Sequence, residues 1–333
     1  MAVAQSLAHQ PVLLSEVLQH LLPELVQQKG FDGEASARVS GRYLDATFGR
    51  GGHARALLAQ LATDASLIVM DRDPEAVAAA NTLAATDSRV QVLDGPMSKL
   101  DELLARNGLP VAAELGLNGI LADLGVSSPQ LDDPARGFSL RSSGPLDMRM
   151  DNTHGSTVAQ WLQAASEDEI TRVLKSYGEQ PAARRIARAI IAARPIDDTQ
   201  RLADIIAEAV PAAIRRRGGS RHPATQSFQA LRIHINDELG EVQAALPKLF
   251  SALAIGGRLA VISFHSLEDR LVKRFFRSQT QRPNVPRRLP VPDAALPPAA
   301  AKAIAGPIRA SERELTENPR ARSATLRVLE RIS

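Results

Sequence analysis

Three aspartates, Asp45, Asp71 and Asp123, each close a run of apolar residues, and the first opens the stretch Asp-Ala-Thr-Phe-Gly-Arg-Gly-Gly-His that ends at His53. A strand that runs through glycines into a helix start lets a ligand approach the backbone closely. Gly49, Gly51 and Ala54 hold the three small positions of a dinucleotide fingerprint, and Asp71 follows at about 20 residues, where a ribose-binding carboxylate belongs. Two ligands fit that spacing. A dinucleotide brings a pyrophosphate to the helix N-terminus, which wants bare amides and no nearby carboxylate. S-adenosylmethionine brings a sulfonium cation and an amino acid, and Asp45 would tolerate or attract both. The residues favour S-adenosylmethionine over a nicotinamide dinucleotide, and the bland alternative is a glycine turn that only joins strand to helix.

The chain has no cysteine, which removes disulfides, thiolate metal sites and any cysteine nucleophile. No metal site is expected. With 333 residues, 44% of them hydrophobic, it can bury a large core and accommodate an insertion. Forty basic residues against 37 acidic ones permit nucleic-acid binding without demonstrating it. Two Tyr, one Trp and eight Phe are too few for a surface that grips single strands mainly by stacking. Residues 1–10 lack a signal-peptide pattern, and no apolar run reaches the length of a membrane span, so the expectation is a cytoplasmic protein without a membrane partner.

The elements that must position these residues follow from periodicity. Leu14, Val17, Leu18, Leu21, Leu22 and Leu25 recur at helical spacing, and residues 27–40 read as a polar loop. Tyr43, Leu44 and Ala46 form a short strand, and residues 53–61 a helix. Apolar runs at 66–71 and 119–124 read as buried parallel strands, with Asp73-Pro74 starting the helix after the first of them, and residues 90–93 read as a strand between the two. Strands and helices alternating in this way make a parallel sheet with right-handed crossovers, and ligands gather beyond its carboxyl ends. Met97, in the turn after the third strand, either flanks an adenine or fills the core.

Residues 125–151 form a long loop rich in glycine and proline, whose apolar residues argue for order. Four apolar faces follow at helical spacing between Val158 and Ala209, which suggests an inserted helical subdomain over residues 136–218. Arg184, Arg185, Arg188, Arg194, Arg215 to Arg217 and Arg221 could attract phosphates or be a solvated face. One long helix is expected from His222-Pro-Ala-Thr225 through Leu253, ended by Gly256-Gly257. A strand at 258–265 then meets a helix with a Ser266-to-Asp269 capping box. A proline-rich loop covers 283–298, and residues 323–329 alternate as a final strand.

Seven segments in this order resemble the ribosomal RNA small subunit methyltransferase H family, the MraW type. They are Pro11-Val-Leu-Leu-Ser-Glu-Val, Thr47-Phe-Gly-Arg-Gly-Gly-His, Asp123-Leu-Gly-Val-Ser-Ser-Pro-Gln, Pro145-Leu-Asp-Met-Arg-Met-Asp, His222-Pro-Ala-Thr with Phe228-Gln-Ala-Leu-Arg-Ile, Phe264-His-Ser-Leu-Glu-Asp-Arg, and Asn318-Pro-Arg-Ala-Arg-Ser. The resemblance implies an α/β fold, a Rossmann-like class I S-adenosylmethionine-dependent methyltransferase with an inserted all-helical subdomain. The Rossmann-like domain would take residues 1–135 and 219–333, with 136–218 inserted for substrate recognition. It also implies N4 methylation of a cytosine in the decoding region of 16S ribosomal RNA, as part of rRNA processing on the small ribosomal subunit. The implied cofactor contacts are Gly51, Gly52, His53, Asp71, Met97, Asp123 and Gln130, with Asp45 nearby but not among them. Asp123 is the candidate catalytic residue, accepting a hydrogen bond from the cytosine amine. A second copy of the chain stays open as a partner. Met97 stands where phenylalanine is common in the family, Asn118 where aspartate is usual, and Gln226 where a basic residue is frequent.

Overall fold

The computed structural model describes residues 11–24, 38–217, 222–282 and 298–333. Most of the loop expected at 27–40, most of the proline-rich loop at 283–298, Leu25, the side chain of Arg217 and the whole of Arg221 lie outside them. The backbone divides into two compact units, residues 1–125 with 240–333, and residues 126–239.

In the first unit seven strands form one sheet: β1 Arg42–Asp45, β2 Ser66–Asp71, β3 Val90–Asp94, β4 Leu117–Asp123, β5 Leu253–Ser263, β6 Ala301–Ile308 and β7 Thr325–Arg331. Their order is β3-β2-β1-β4-β5-β7-β6. Strands β1 to β5 pair in parallel, while β7 runs antiparallel to both β5 and β6. The expected α/β architecture with a buried parallel sheet is what the chain adopts. The antiparallel strand set between β5 and β6 departs from the 3-2-1-4-5-6 order of the dinucleotide fold. Chain order reverses between β1 and β4, and such a switch point opens a crevice at the carboxyl ends of the strands.

Alternation sorts the side chains onto two faces. Leu44, Ile68, Met70, Ile120, Ala122, Leu259 and Val261 pack with the helices Leu100–Arg106, Glu238–Ser251 and Ser266–Thr280. Tyr43, Leu67, Val69, Leu121, Ala260 and Ile262 pack on the other face with the helices Leu14–Leu21 and Gly52–Gln60. Asp45, Asp71 and Asp123 share the odd-numbered register of this second face.

Residues 126–239 have a core of their own, with Phe138, Met148, Leu162, Leu174, Ile186, Ile190, Leu202, Ile206 and Leu231 buried together. The helices Val158–Ala164, Glu167–Gly178, Ala183–Ala192 and Thr199–Ala209 carry the four expected apolar faces. This unit begins before residue 136 because the long loop belongs to it: the Arg136 guanidinium donates to the Met150 carbonyl at 2.7 Å, inside the loop. It ends after residue 218 because the helix Thr225–Ile235 packs into the same core.

Three expectations fail. The single helix from 225 to 253 is broken at Asn236 and Asp237, where Asp237 takes a left-handed φ of 46°. The Asn236 side chain donates to the Met148 carbonyl at 2.7 Å and accepts from the Met150 amide at 2.7 Å, so a tertiary demand overrides the periodicity. Leu253 starts β5 instead, and Gly256 and Gly257 lie within that strand at an irregular register against β4. The helix Ser266–Thr280 is capped by His265, not Ser266, in a reciprocal box with Glu268.

Candidate active site

Register explains how deeply each aspartate sits. Asp45 pairs across the sheet with Val69 and Leu121, two residues before Asp71 and Asp123 on the neighbouring strands. It therefore lies about 6–7 Å below their level, and only 1% of its surface remains exposed. Its Oδ1 accepts from the Thr47 amide at 3.1 Å, while the buried Oδ2 has no hydrogen-bond partner among the described residues. Burial, followed by the neighbouring Asp71 charge, pushes the Asp45 carboxyl up to about 7 against the pull of the Thr47 amide.

Thr47 stands level with the other two aspartates, and its Oγ1 accepts from the Asp123 amide at 2.6 Å. That contact ties the end of β1 to the end of β4 across the switch point. Asp123 keeps one oxygen, Oδ1, buried and without a hydrogen-bond partner among the described residues. Burial first, then the Asp45 and Glu268 charges, raises its carboxyl well above the usual range. An unpaired buried carboxylate costs several kcal/mol, so an orphaned oxygen marks a place where something else must bind.

His53, in the first turn of the helix Gly52–Gln60, is 7% exposed. Its Nε2 lies 2.9 Å from the Val12 carbonyl. A carbonyl only accepts, so Nε2 carries the hydrogen and Nδ1 is left as an acceptor on a neutral ring. Burial depresses this imidazole to about 4. Nδ1 faces Asp123 Oδ2 at 3.7 Å, in reach of an electrostatic contact but too long for a hydrogen bond.

The glycine turn is folded inward. Gly49 takes φ 54° and Gly51 φ 73°, a left-handed pair that side chains resist. The Gly49 amide donates to Asp71 Oδ2 at 2.8 Å and the Gly51 amide to the Phe48 carbonyl at 2.7 Å. A Cβ on Gly52 would come 2.6 Å from the Pro11 side chain, so the Pro11-Val12-Leu13 segment lies directly against the turn.

The expected contacts thus separate. His53 and Asp123 come together at 3.7 Å, Asp45 lies near enough for its charge to act on Asp123, and Gly51 and Gly52 directly precede His53 in the chain. Asp71 stands at the neighbouring strand end, with both oxygens accepting backbone amides, from Gly49 and from Asp73 at 2.9 Å, so a ribose would share lone pairs already in part engaged. Met97 is half-buried, packed against the core on the opposite face of the sheet. Gln130 belongs to the 126–239 unit, where its side chain accepts from the Ser127 amide at 2.9 Å in a capping box. His265 caps its turn, with Nδ1 accepting from the Glu268 amide at 3.3 Å, while its buried Nε2 lies 3.2 Å from Glu268 Oε1 without a hydrogen bond among the described residues. Thr47 and the Val12 carbonyl escaped the sequence reading. Asp-x-Thr at a strand end is a turn signal that could have pointed to the first, whereas a backbone carbonyl leaves no trace in residue type.

This arrangement suits a cation and resists a phosphate. Two buried carboxyl oxygens lack partners, and two of the turn amides a pyrophosphate would need are already donated within the protein. S-adenosylmethionine, with a sulfonium and an ammonium group, meets that donor set, and Asp45, Asp123, His53 and the glycine turn are the residues that would surround it.

The family model of the MraW methylase family matches residues 6–332. A relative from Thioalkalivibrio sulfidiphilus, named ribosomal RNA small subunit methyltransferase H, is 49% identical over 98% of this chain and 98% of its own. One of the same name from Nitrosococcus oceani is 47% identical over 97% of each. A crystal structure of an rRNA methylase from Streptococcus thermophilus superposes with a TM-score of 0.35 at 11% identity, covering 89% of this chain and 90% of that one, too loose a likeness to carry weight. On the full-length family match and the near-half identity to both relatives, this chain belongs to the MraW methylase family.

Proposed function

We propose that this chain methylates the N4 amine of a cytosine in the decoding region of 16S ribosomal RNA, with S-adenosylmethionine as methyl donor, acting in the cytoplasm on RNA of the small ribosomal subunit. Support comes from the family and from the relatives' names. The observation that carries the chemistry is the buried, unpartnered Oδ1 of Asp123 at the switch point. When bound, S-adenosylmethionine supplies an electrophilic methyl group on a positively charged sulfur.

The protein's own task is to hold an amine in line with that methyl and to make its lone pair available. A cytosine amine is a poor nucleophile because its lone pair is delocalised into the ring. Asp123 Oδ1, accepting a hydrogen bond from the amine N–H, localises that pair as positive charge develops. Thr47 fixes the Asp123 backbone, and the neutral His53 ring limits the carboxyl on its Oδ2 side. Asp123 ionises against a bound cation, which offsets the burial that otherwise keeps it protonated. The amine sheds its proton readily once methylated, so no strong base is required. Cytosine C5 chemistry would need a thiolate, and the chain has no cysteine.

The target base must leave its stack to reach this crevice, and phosphate contacts must hold the RNA meanwhile. Arg184 and Arg188 are spent on Glu167 and Asp168 within their own unit. Arg215 and Arg216 remain exposed, as do Lys273, Arg274 and Arg277 along one face of the helix Ser266–Thr280.

Asp123→Ala and Asp123→Asn are expected to lower kcat by about 100-fold or more, read as tritium transferred into small-subunit RNA. Turnover within a few-fold of wild type would remove Asp123 from this role.

A further inference from the structure

The family-resembling segment Pro11-Val-Leu-Leu-Ser-Glu-Val lies near the start of the chain, and the helix Glu312–Glu317, just before the segment Asn318-Pro-Arg-Ala-Arg-Ser, lies near its end. The structure joins them. Leu13 caps the helix Leu14–Leu21 in a left-handed conformation, φ 53° and ψ 34°, with no side-chain cap from that helix. A fully buried leucine at positive φ is strained and persists only where its surroundings hold it. Its amide donates to Glu314 Oε1 at 2.7 Å, across 301 residues of sequence.

Glu314 occupies the position in its own helix, Glu312–Glu317, from which a capping box reaches back. Its amide donates to Ser311 Oγ at 3.2 Å while its carboxylate turns to Leu13. A cap amide is ordinarily satisfied by a carboxylate three residues into the same helix. For the helix that Leu13 begins, that service comes from the far end of the chain. Glu16, at the position that would have supplied it, stands near enough for its charge to raise the Glu314 carboxyl; burial raises it more and Glu317 adds to it, while the Leu13 amide opposes them.

The residue before Leu13 supplies the Val12 carbonyl that receives His53 Nε2, and the one before that, Pro11, presses on Gly52. Releasing Leu13 would let φ relax, swing the Val12 carbonyl away and free the imidazole to change tautomer beside Asp123. We propose that Glu314 is a positioning residue for methyl transfer: by clamping the Leu13 amide it holds the Val12 carbonyl that fixes the His53 ring against Asp123. The proposal rests on the functional reading above.

The test uses Glu314→Gln, Glu314→Asp and Glu314→Ala in the full chain. Gln keeps an acceptor oxygen at the same reach, whereas Asp keeps the charge but falls one methylene short. The expected result is kcat/KM for S-adenosylmethionine within about twofold of wild type for Gln and reduced about tenfold or more for both Asp and Ala. In the ligand-free protein, the His53 nitrogen resonances should report the Nε2–H tautomer in wild type and Gln, and a mixture in Asp and Ala. Should Ala fail to fold, Asp and Gln decide the matter. Wild-type kinetics and an unchanged His53 tautomer in Asp would overturn the proposal, even if its melting temperature fell. If wild-type protein transferred no methyl group to ribosomal RNA, the functional reading would fail, and the His53 resonances would still decide whether Glu314 positions the ring.

Discussion

Asp45 sits two rungs below the crevice with an orphaned oxygen, and its ionisation should govern how the empty and occupied proteins respond to pH. Its folded value, about 7, lies above its ordinary value of 3.8. The neutral carboxyl therefore favours the fold, a contribution fully present below about pH 4 and lost as pH rises through 7. Asp45→Asn keeps an acceptor for the Thr47 amide and removes the buried charge. It should be more stable than wild type at pH 8, by at most about 4 kcal/mol, and so unfold at a higher temperature, and show no such advantage at pH 4; calorimetry at the two pH values checks this. A sulfonium beside the carboxyls inverts the preference, so binding should release protons and S-adenosylmethionine affinity should rise between pH 5 and 8. S-adenosylhomocysteine, which lacks the sulfonium charge, should show a shallower rise, and equal slopes for the two ligands would count against the placement. The three strand-end aspartates could be read from the sequence because each terminates an apolar run. The depth of Asp45 could not, since depth is set by register between strands and register is not a property of one segment.

At the scale of elements, the legible parts were those whose pattern answers to a single face. Strands β2 and β4 are buried on both sides and read as continuous apolar runs, whereas β3, at the sheet edge, exposes Gln91; the helices of residues 126–239 each show one apolar stripe. The pattern failed where neighbours decide the outcome. Strand β6 is an edge strand with most of its residues exposed or half-buried and with Pro307 inside it, so no alternation marks it. The break at Asn236 is made by the Met148 and Met150 backbone groups, far away in sequence. Close packing between elements can be tested at Gly178, the last residue of the helix Glu167–Gly178. A Cβ there would fall 2.7 Å from the Gln226 carbonyl oxygen in the helix Thr225–Ile235. Gly178→Ala should cost about 1–3 kcal/mol of stability, read by urea denaturation, and leave S-adenosylmethionine affinity unchanged. An unaltered denaturation midpoint would mean that the two helices do not meet so closely.

For the whole molecule, an excess of three positive charges is too small to hold RNA by net charge, so affinity must come from where the charge is placed. Reversing Lys273, Arg274 and Arg277 to glutamate should weaken RNA binding and lower the slope of log affinity against log salt by about 2 to 3, near one per lost phosphate contact. Affinity for S-adenosylmethionine should not change, because all three side chains are exposed, away from the buried His53 and Asp45. An unaltered salt slope would move the RNA surface elsewhere, with Arg215 and Arg216 the next exposed pair to reverse. The central claim, that Asp123 directs a methyl group onto a cytosine amine, is tested most directly by the identity of the labelled product. Small-subunit RNA lacking the modification, incubated with the purified protein and methyl-tritiated S-adenosylmethionine and then digested to nucleosides, should carry its label in N4-methylcytidine, at an initial rate about 100-fold or more lower when Asp123 is alanine. Label in any other nucleoside, or undiminished N4-methylcytidine from the alanine variant, would contradict it.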